Sequence, residues 1–145
     1  MSWSIKSFTE LSKAELYAIL KLRVDVFVVE QACAYPEIDD QDQAAIHILY
    51  QASGKLAAYA RIVHEKGHWH IGRIVVAPSW RQRGLAREIM ERAEAYCWQE
   101  LQVHEVHLSA QTYLEKFYTS LGYQTYSQPY DWDGIDHVDM KKVRT

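Results

Sequence analysis

Arg81, Gln82, Arg83, Gly84, Leu85 and Ala86 follow the apolar run Ile74, Val75, Val76, Ala77, Pro78 and open a long helical segment. A strand is therefore expected to end in a donor-rich turn that feeds a helix start. Such a turn suits a diphosphate. Pro78 ends the strand's pairing, Gly84 lets the main chain approach a ligand without an intervening Cβ, and the N–H groups of the helix start converge on one anion. Arg81, Arg83 and Arg87 add full positive charge. Two common phosphate loops do not fit: there is no Gly-x-x-x-x-Gly-Lys-Ser/Thr run, and Gly84 is the only glycine of the turn.

The pattern Val-x-Pro-x-x-Arg-x-x-Gly-x-Ala, running here from Val76 to Ala86, resembles the coenzyme A signature of the GCN5-related N-acetyltransferase (GNAT) superfamily. A second element agrees in order and separation. Gln111 stands where that family carries an Asn, seven residues before Tyr118 in the segment Phe117 to Tyr123. Two residues depart from the pattern: Ala86 replaces the commoner second Gly, and Gln111 replaces the Asn. The resemblance implies acetyl coenzyme A as co-substrate, with main-chain contacts from Ile74, Val75 and Val76, diphosphate contacts from Arg81, Gln82, Arg83, Gly84, Leu85, Ala86 and Arg87, and a further contact from Gln111. The N–H of Val76 would polarise the thioester carbonyl and hold the oxyanion that forms on attack.

Two proton demands follow. An amine with a pKa near about 10.4 arrives protonated and must lose a proton before attacking. The departing thiolate must gain one, and a phenol aimed at the sulfur can supply it; Tyr118 is assigned that role through the resemblance. For the base, His47, His70, Glu30 and Asp39 are the candidates. Glu105 is expected on the strand face opposite Val106 and is set aside.

Much of the N-terminal half is similar to the ElaA-type branch of the acetyltransferases: Leu22-Arg23, Val26 to Gln31, Cys33, Tyr35, Glu37-x-Asp39-x-x-Asp42, His47, Ala58 to Arg61 and Ile71 to Arg73. Leu108 to Gln111 and Asp133-Gly134-Ile135-x-His137 continue the match. Ala34 stands where a Pro is usual. Read physically, Glu37, Asp39 and Asp42 gather in one loop and would welcome an ammonium group; equally, they could be tied to Arg23 as a structural ion pair. No metal is expected. Alternation sends His68 and His70 to one face without adding the third or fourth ligand a zinc site requires, and His104 and His107 fare no better.

These side chains need a scaffold. At 145 residues with 48% hydrophobic content, the chain has length for one domain over residues 1–145 and a real core. A net charge of -3 argues against a nucleic-acid surface. Unpaired Cys33 and Cys97, with no signal-like N-terminus and no run of about 18 apolar residues, suit a cytoplasmic protein without a membrane partner. A homodimer stays open.

Trp3 and Ile5 alternate as a first strand, Ser12 to Glu15 form a capping box, and the helix that follows should reach about Val28. Residues 31 to 44 look irregular. Strands are expected at 46–51, 56–65 and 69–77, a signature helix at about 84–101, a strand at 105–110, a short helix at 113–121, and a closing hairpin of 123–127 with 137–143. The fold class is α/β (α+β): a mixed, mostly antiparallel central sheet with helices on both faces.

Three functions compete. The first is an N-acetyltransferase moving acetyl to a primary amine of a small molecule or peptide by direct attack in a ternary complex. An idle coenzyme A-binding module and an acyl-homoserine-lactone-synthase-like acyltransferase are the alternatives.

Overall fold

Eight strands build one sheet in a computed structural model that describes residues 1–145. They are β1 (Ser2–Ser7), β2 (Ile46–Ala52), β3 (Lys55–Glu65), β4 (His68–Val76), β5 (Glu105–Gln111), β6 (Gln124–Thr125), β7 (Tyr130–Trp132) and β8 (Ile135–Val143). The order is β1-β2-β3-β4-β5-β8-β6, with β7 also paired to β8. Every pairing is antiparallel except that of β4 with β5. Three helices flank the sheet: α1 (Lys13–Arg23), α2 (Leu85–Gln99) and α3 (Glu115–Ser120). No helix is long and apolar enough to cross a membrane.

Strand alternation divides the core. On β3, Ala58, Ala60 and Ile62 face a cluster that includes Ile89, Met90 and Ala93 of α2, whereas Tyr59 turns the other way and packs with Leu49, Val75 and Ile19 of α1. Helices therefore cover both faces, as expected. The α1 capping box forms as read, with Glu15 N–H donating to Ser12 Oγ at 3.0 Å and Ser12 N–H to Glu15 Oε1 at 2.8 Å.

Three boundaries differ from expectation. Regular α-helix ends at Arg23 rather than near Val28, and Val24–Glu30 widens into a π-helix in which Gln31 N–H reaches back five residues to Val26 O at 3.0 Å. Four of these seven residues are valines, whose branching crowds a tight α turn. The closing hairpin contains the extra strand β7, because Asp133 and Gly134 both take positive φ (52° and 83°) and fold Tyr130–Trp132 back on Ile135–His137. The signature helix is shorter at both ends than the expected 84–101, with Gly84 as its N-cap.

The feature that makes the site is a split in the sheet. Between the pairs Tyr59↔Val75 and Arg61↔Gly72, one β3 residue opposes two on β4, so Arg73 and Ile74 form a bulge; Arg73 has φ 52°. The parallel pairing of β4 with β5 is confined to His70↔His107. Beyond it the strands part, leaving the β5-facing main-chain groups of β4's second half without a neighbouring strand.

Candidate functional site

A cavity of about 940 Å³ opens along that split. Its wall draws on the π-helix at Phe27, on β4 from His70 to Val76, on β5 from Leu108 to Gln111, and on Tyr118 of α3. Ile74, Val75, Val76, Arg81, Gln111 and Tyr118 all line it. Ala77 donates its N–H to Ala57 O at 2.8 Å. By alternation the N–H of Val75 also turns to β3, while that of Val76 turns into the cleft. Val75 contributes an apolar side chain to the α1-side core.

Gln82, Arg83, Gly84, Leu85, Ala86 and Arg87 are not in the cavity wall; they form the turn that follows Arg81 and the first residues of α2. Gln82 (φ 63°) and Gly84 (φ 76°) are left-handed, and an added Cβ at Gly84 would meet no protein atom within 4 Å, so backbone conformation rather than crowding selects glycine there. Main-chain N–H groups from Gln82 to Arg87 have no acceptor in the protein, and the helix ladder begins with Glu88 N–H on Gly84 O at 3.1 Å. Free N–H groups converging in such a turn are of the kind that can hold an anion. Leu85 is the buried anchor that roots the helix start in the core. Arg83 lies over the Trp80 ring at 4.6 Å, and Arg81 pairs with Glu30 at 2.6 and 2.9 Å while its Nε donates to Val76 O at 3.1 Å. The Gln111 and Gln31 side-chain amides meet at 3.3 Å, joining β5 to the end of the π-helix.

Tyr118 packs edge-on against Phe117 with ring centroids 5.1 Å apart. His70 Nε2 is the only buried side-chain polar atom without a hydrogen-bond partner. The Tyr118 hydroxyl, which also has none, must therefore be reached from the cavity. Burial pushes its phenol up to about 12, so it stays protonated across the physiological range.

The four base candidates separate cleanly. His47 is fully buried: Nε2–H donates to Asp42 O at 2.9 Å, Nδ1 accepts from Tyr59 O–H at 2.6 Å, and neither nitrogen is free. Glu30 is held by Arg81, whose hydrogen bonds lower its pKa. Asp39 lines the cavity but is gripped by Arg61 and Arg73. His70 lines the cavity; its Nε2 is sealed without a partner, its Nδ1 is neither bonded nor sealed, and burial, its largest influence, lowers its pKa and favours the neutral imidazole.

The acidic loop turns out not to be an ammonium trap. Arg23 (0% exposed) donates to Glu37 Oε2 at 2.6 Å and Asp42 Oδ1 at 2.7 Å; Arg61 reaches Asp39 and Asp42, and Arg73 reaches Glu37 and Asp39. Three guanidiniums thus balance three carboxylates, and the structural ion-pair reading holds in enlarged form. Burial tends to raise the Asp39 pKa, but Arg61 and Arg73 outweigh it and hold the carboxyl at about 2, against an ordinary value of 3.8. A depressed carboxyl stabilises the fold fully above its unfolded pKa and loses that contribution as pH falls through its folded one. Unfolding free energy measured by urea titration is expected to fall between about pH 4 and about pH 2, and less steeply in Asp39→Asn.

One grouping was not anticipated. His68, Glu105 and His107 bring their ligand atoms within 4.8 Å of one another, because β4 and β5 pair at this end of the split. Spacing within one strand could not reveal a third ligand supplied by its neighbour. Glu105 already accepts from His107 Nε2 at 3.0 Å and faces Lys141 Nζ at 3.6 Å, so proton-bearing donors satisfy this carboxylate. Asp139 was missed altogether. It lines the cavity from β8, and the alternation of His137, Asp139 and Lys141 was the available signal.

Residues 13–144 match a family model described as an acetyltransferase (GNAT) domain. A UPF0039 protein of Schizosaccharomyces pombe is 43% identical over 139 residues, covering 94% of this chain and 93% of its own. The crystal structure of Escherichia coli ElaA superposes with a TM-score of 0.93 at 35% identity, covering 98% of this chain and 99% of that one. An acyl-CoA N-acyltransferase from Pseudomonas aeruginosa gives the same TM-score, identity and coverage.

Proposed function

Because the chain belongs to the GNAT acetyltransferase family, we propose that it transfers acetyl from acetyl coenzyme A to a primary amine of a small molecule or peptide, by direct attack in a ternary complex. The observation that carries this reading is the continuity of donor groups: unpaired N–H groups from Gln82 to Arg87, the Val76 N–H turned into the cleft, and the Tyr118 hydroxyl on the same cavity. A diphosphate at the turn would compete with the Glu30 carboxylate for Arg81, and the pantetheine arm would pair with the exposed edge of β4 as an added strand.

In this reading His70 accepts the ammonium proton at Nδ1, the ring nitrogen that is neither bonded nor sealed, directly or through one water. The Val76 N–H stabilises charge on the acetyl oxygen as the new C–N bond forms, and Tyr118 delivers its proton to sulfur as the C–S bond breaks. A phenol raised to about 12 stays protonated and so carries a proton to give throughout the physiological range. Direct attack is favoured over a covalent carrier because Cys97 is sealed, and Cys33, although it lines the cavity, turns its thiol to Asp133 O at 3.5 Å rather than to a base.

Calorimetry with coenzyme A, followed by thiol release from acetyl coenzyme A with a panel of amines and peptides, tests the proposal. Saturable binding and amine-dependent release are the expected results. Binding without release to any acceptor would leave a binding module, and no binding at all would overturn the reading. The lowered His70 pKa places the acid limb of kcat/KM below pH 6.5, and His70→Gln is expected to lose it.

A further inference from the structure

Of the charged groups that line the cavity, Lys66, Asp131 and Asp133 are exposed and unpaired, Glu65 accepts from Gln41 Nε2 at 3.3 Å, and the guanidiniums are matched. Arg61 and Arg73 are matched by Asp39, Asp42 and Glu37, and Arg81 by Glu30. Asp139 is different. Its Oδ1 accepts from Tyr130 O–H at 2.6 Å and Ser109 Oγ–H at 3.1 Å, its N–H donates to Ser127 Oγ at 2.9 Å, and its Oδ2 has no partner. No cation lies within salt-bridge distance; Lys141, two residues on along the same strand face, turns instead to Glu105 at 3.6 Å. Since Oδ2 is not among the buried orphaned atoms, it is reached from the cavity.

The surroundings of this carboxylate are aromatic. Tyr130 stacks on His137 at 6.1 Å, Trp132 lies 5.1 Å from the same ring, and Tyr126 lines the cavity beside them. A carboxylate oriented by two hydroxyls and walled by aromatic faces suits an ammonium group on an apolar skeleton. It disfavours a ligand that brings its own carboxylate next to the nitrogen.

We infer that Asp139 is the ammonium-binding group of the acceptor site, and that the acceptor is a compact amine with an apolar or aromatic skeleton and no carboxylate beside its nitrogen. The inference rests on the acyl-transfer reading and names the substrate class for it. Asp139 positions the acceptor; proton removal stays with His70, so the effect of Asp139 falls on KM rather than kcat.

Asp139→Asn is the discriminating variant, because an amide Oδ1 still accepts both hydroxyls and only the charge is lost. Phenethylamine and phenylalanine serve as probes, with the full chain saturated with coenzyme A for calorimetry and with acetyl coenzyme A for kinetics. Phenethylamine is expected to bind the wild type in preference to phenylalanine. In Asp139→Asn its Kd and KM should rise about tenfold or more, with kcat within about twofold, and the preference over phenylalanine should shrink by a similar factor. Unchanged phenethylamine affinity in the variant, or equal binding of the two probes by the wild type, overturns the inference. The wild-type preference decides the matter alone if the variant does not fold. Asp139-dependent amine binding without any acetyl transfer would overturn the catalytic reading and leave this one standing, whereas transfer with a KM indifferent to Asp139 would do the reverse.

Discussion

Arg23→Met is expected to destabilise the protein by about 3–5 kcal/mol, because removing one partner strands the others as uncompensated buried charges. Set against a total of about 5–15 kcal/mol for an ordinary domain, that is a large share of the whole. The side chain is 0% exposed, and Glu37 (4% exposed) and Asp42 (6%) can gain little from water once it is gone. Arg61 and Arg73 remain, yet they are already shared with Asp39 and cannot replace the bonds at 2.6 and 2.7 Å. Urea unfolding should show a lower midpoint with an unchanged slope. Arg23→Lys keeps the charge but not the fork, which donates through Nε, Nη1 and Nη2 to three separate acceptors, so an intermediate loss is expected. A variant as stable as the wild type would show that the network contributes nothing net to folding.

Tyr118→Phe carries the largest expected effect on rate: a fall of about a hundredfold in kcat, the lower part of the range for a positioned proton donor. The ring is part of the main core cluster, and its hydroxyl has no partner in the protein, so losing the oxygen leaves packing and stability nearly unchanged. Coenzyme A affinity, measured by calorimetry, should therefore match the wild type. Equal kcat for the two proteins would remove Tyr118 as the acid. Because the phenol is pushed up to about 12, no alkaline loss of rate below that pH is expected from this group.

Local chemistry made much of this molecule readable. The turn from Arg81 to Arg87 was legible because a left-handed glycine, a strand-ending proline and a helix start are each encoded within a few residues, and their N–H groups are left free by backbone geometry alone. The capping box at Ser12, the meander of β2, β3 and β4, and the placing of Tyr118 after β5 were readable for the same reason: period and spacing act over one element or two. The boundary at Arg23 was not, since helical periodicity continues through Val26 and cannot signal the wider turn.

What tertiary structure alone decided is which charges meet. Glu37, Asp39 and Asp42 look identical in sequence whether they await a cation or already have three, and only the approach of β3 and β4 brings Arg61 and Arg73 to them. Which of His47, His70, Glu30 and Asp39 is already bonded depended on the same long-range partners: Tyr59, Arg81 and Arg61 occupy three of them, and His70 has no hydrogen-bond partner. Asp139 became visible only because β8 lies beside β5 and sets it opposite Ser109. Backbone conformation is chosen by neighbours in the chain, so sequence determined the donor turn. Ionic partnership is chosen by neighbours in space, so which carboxylates and imidazoles are paired and which stay unpaired awaited the fold.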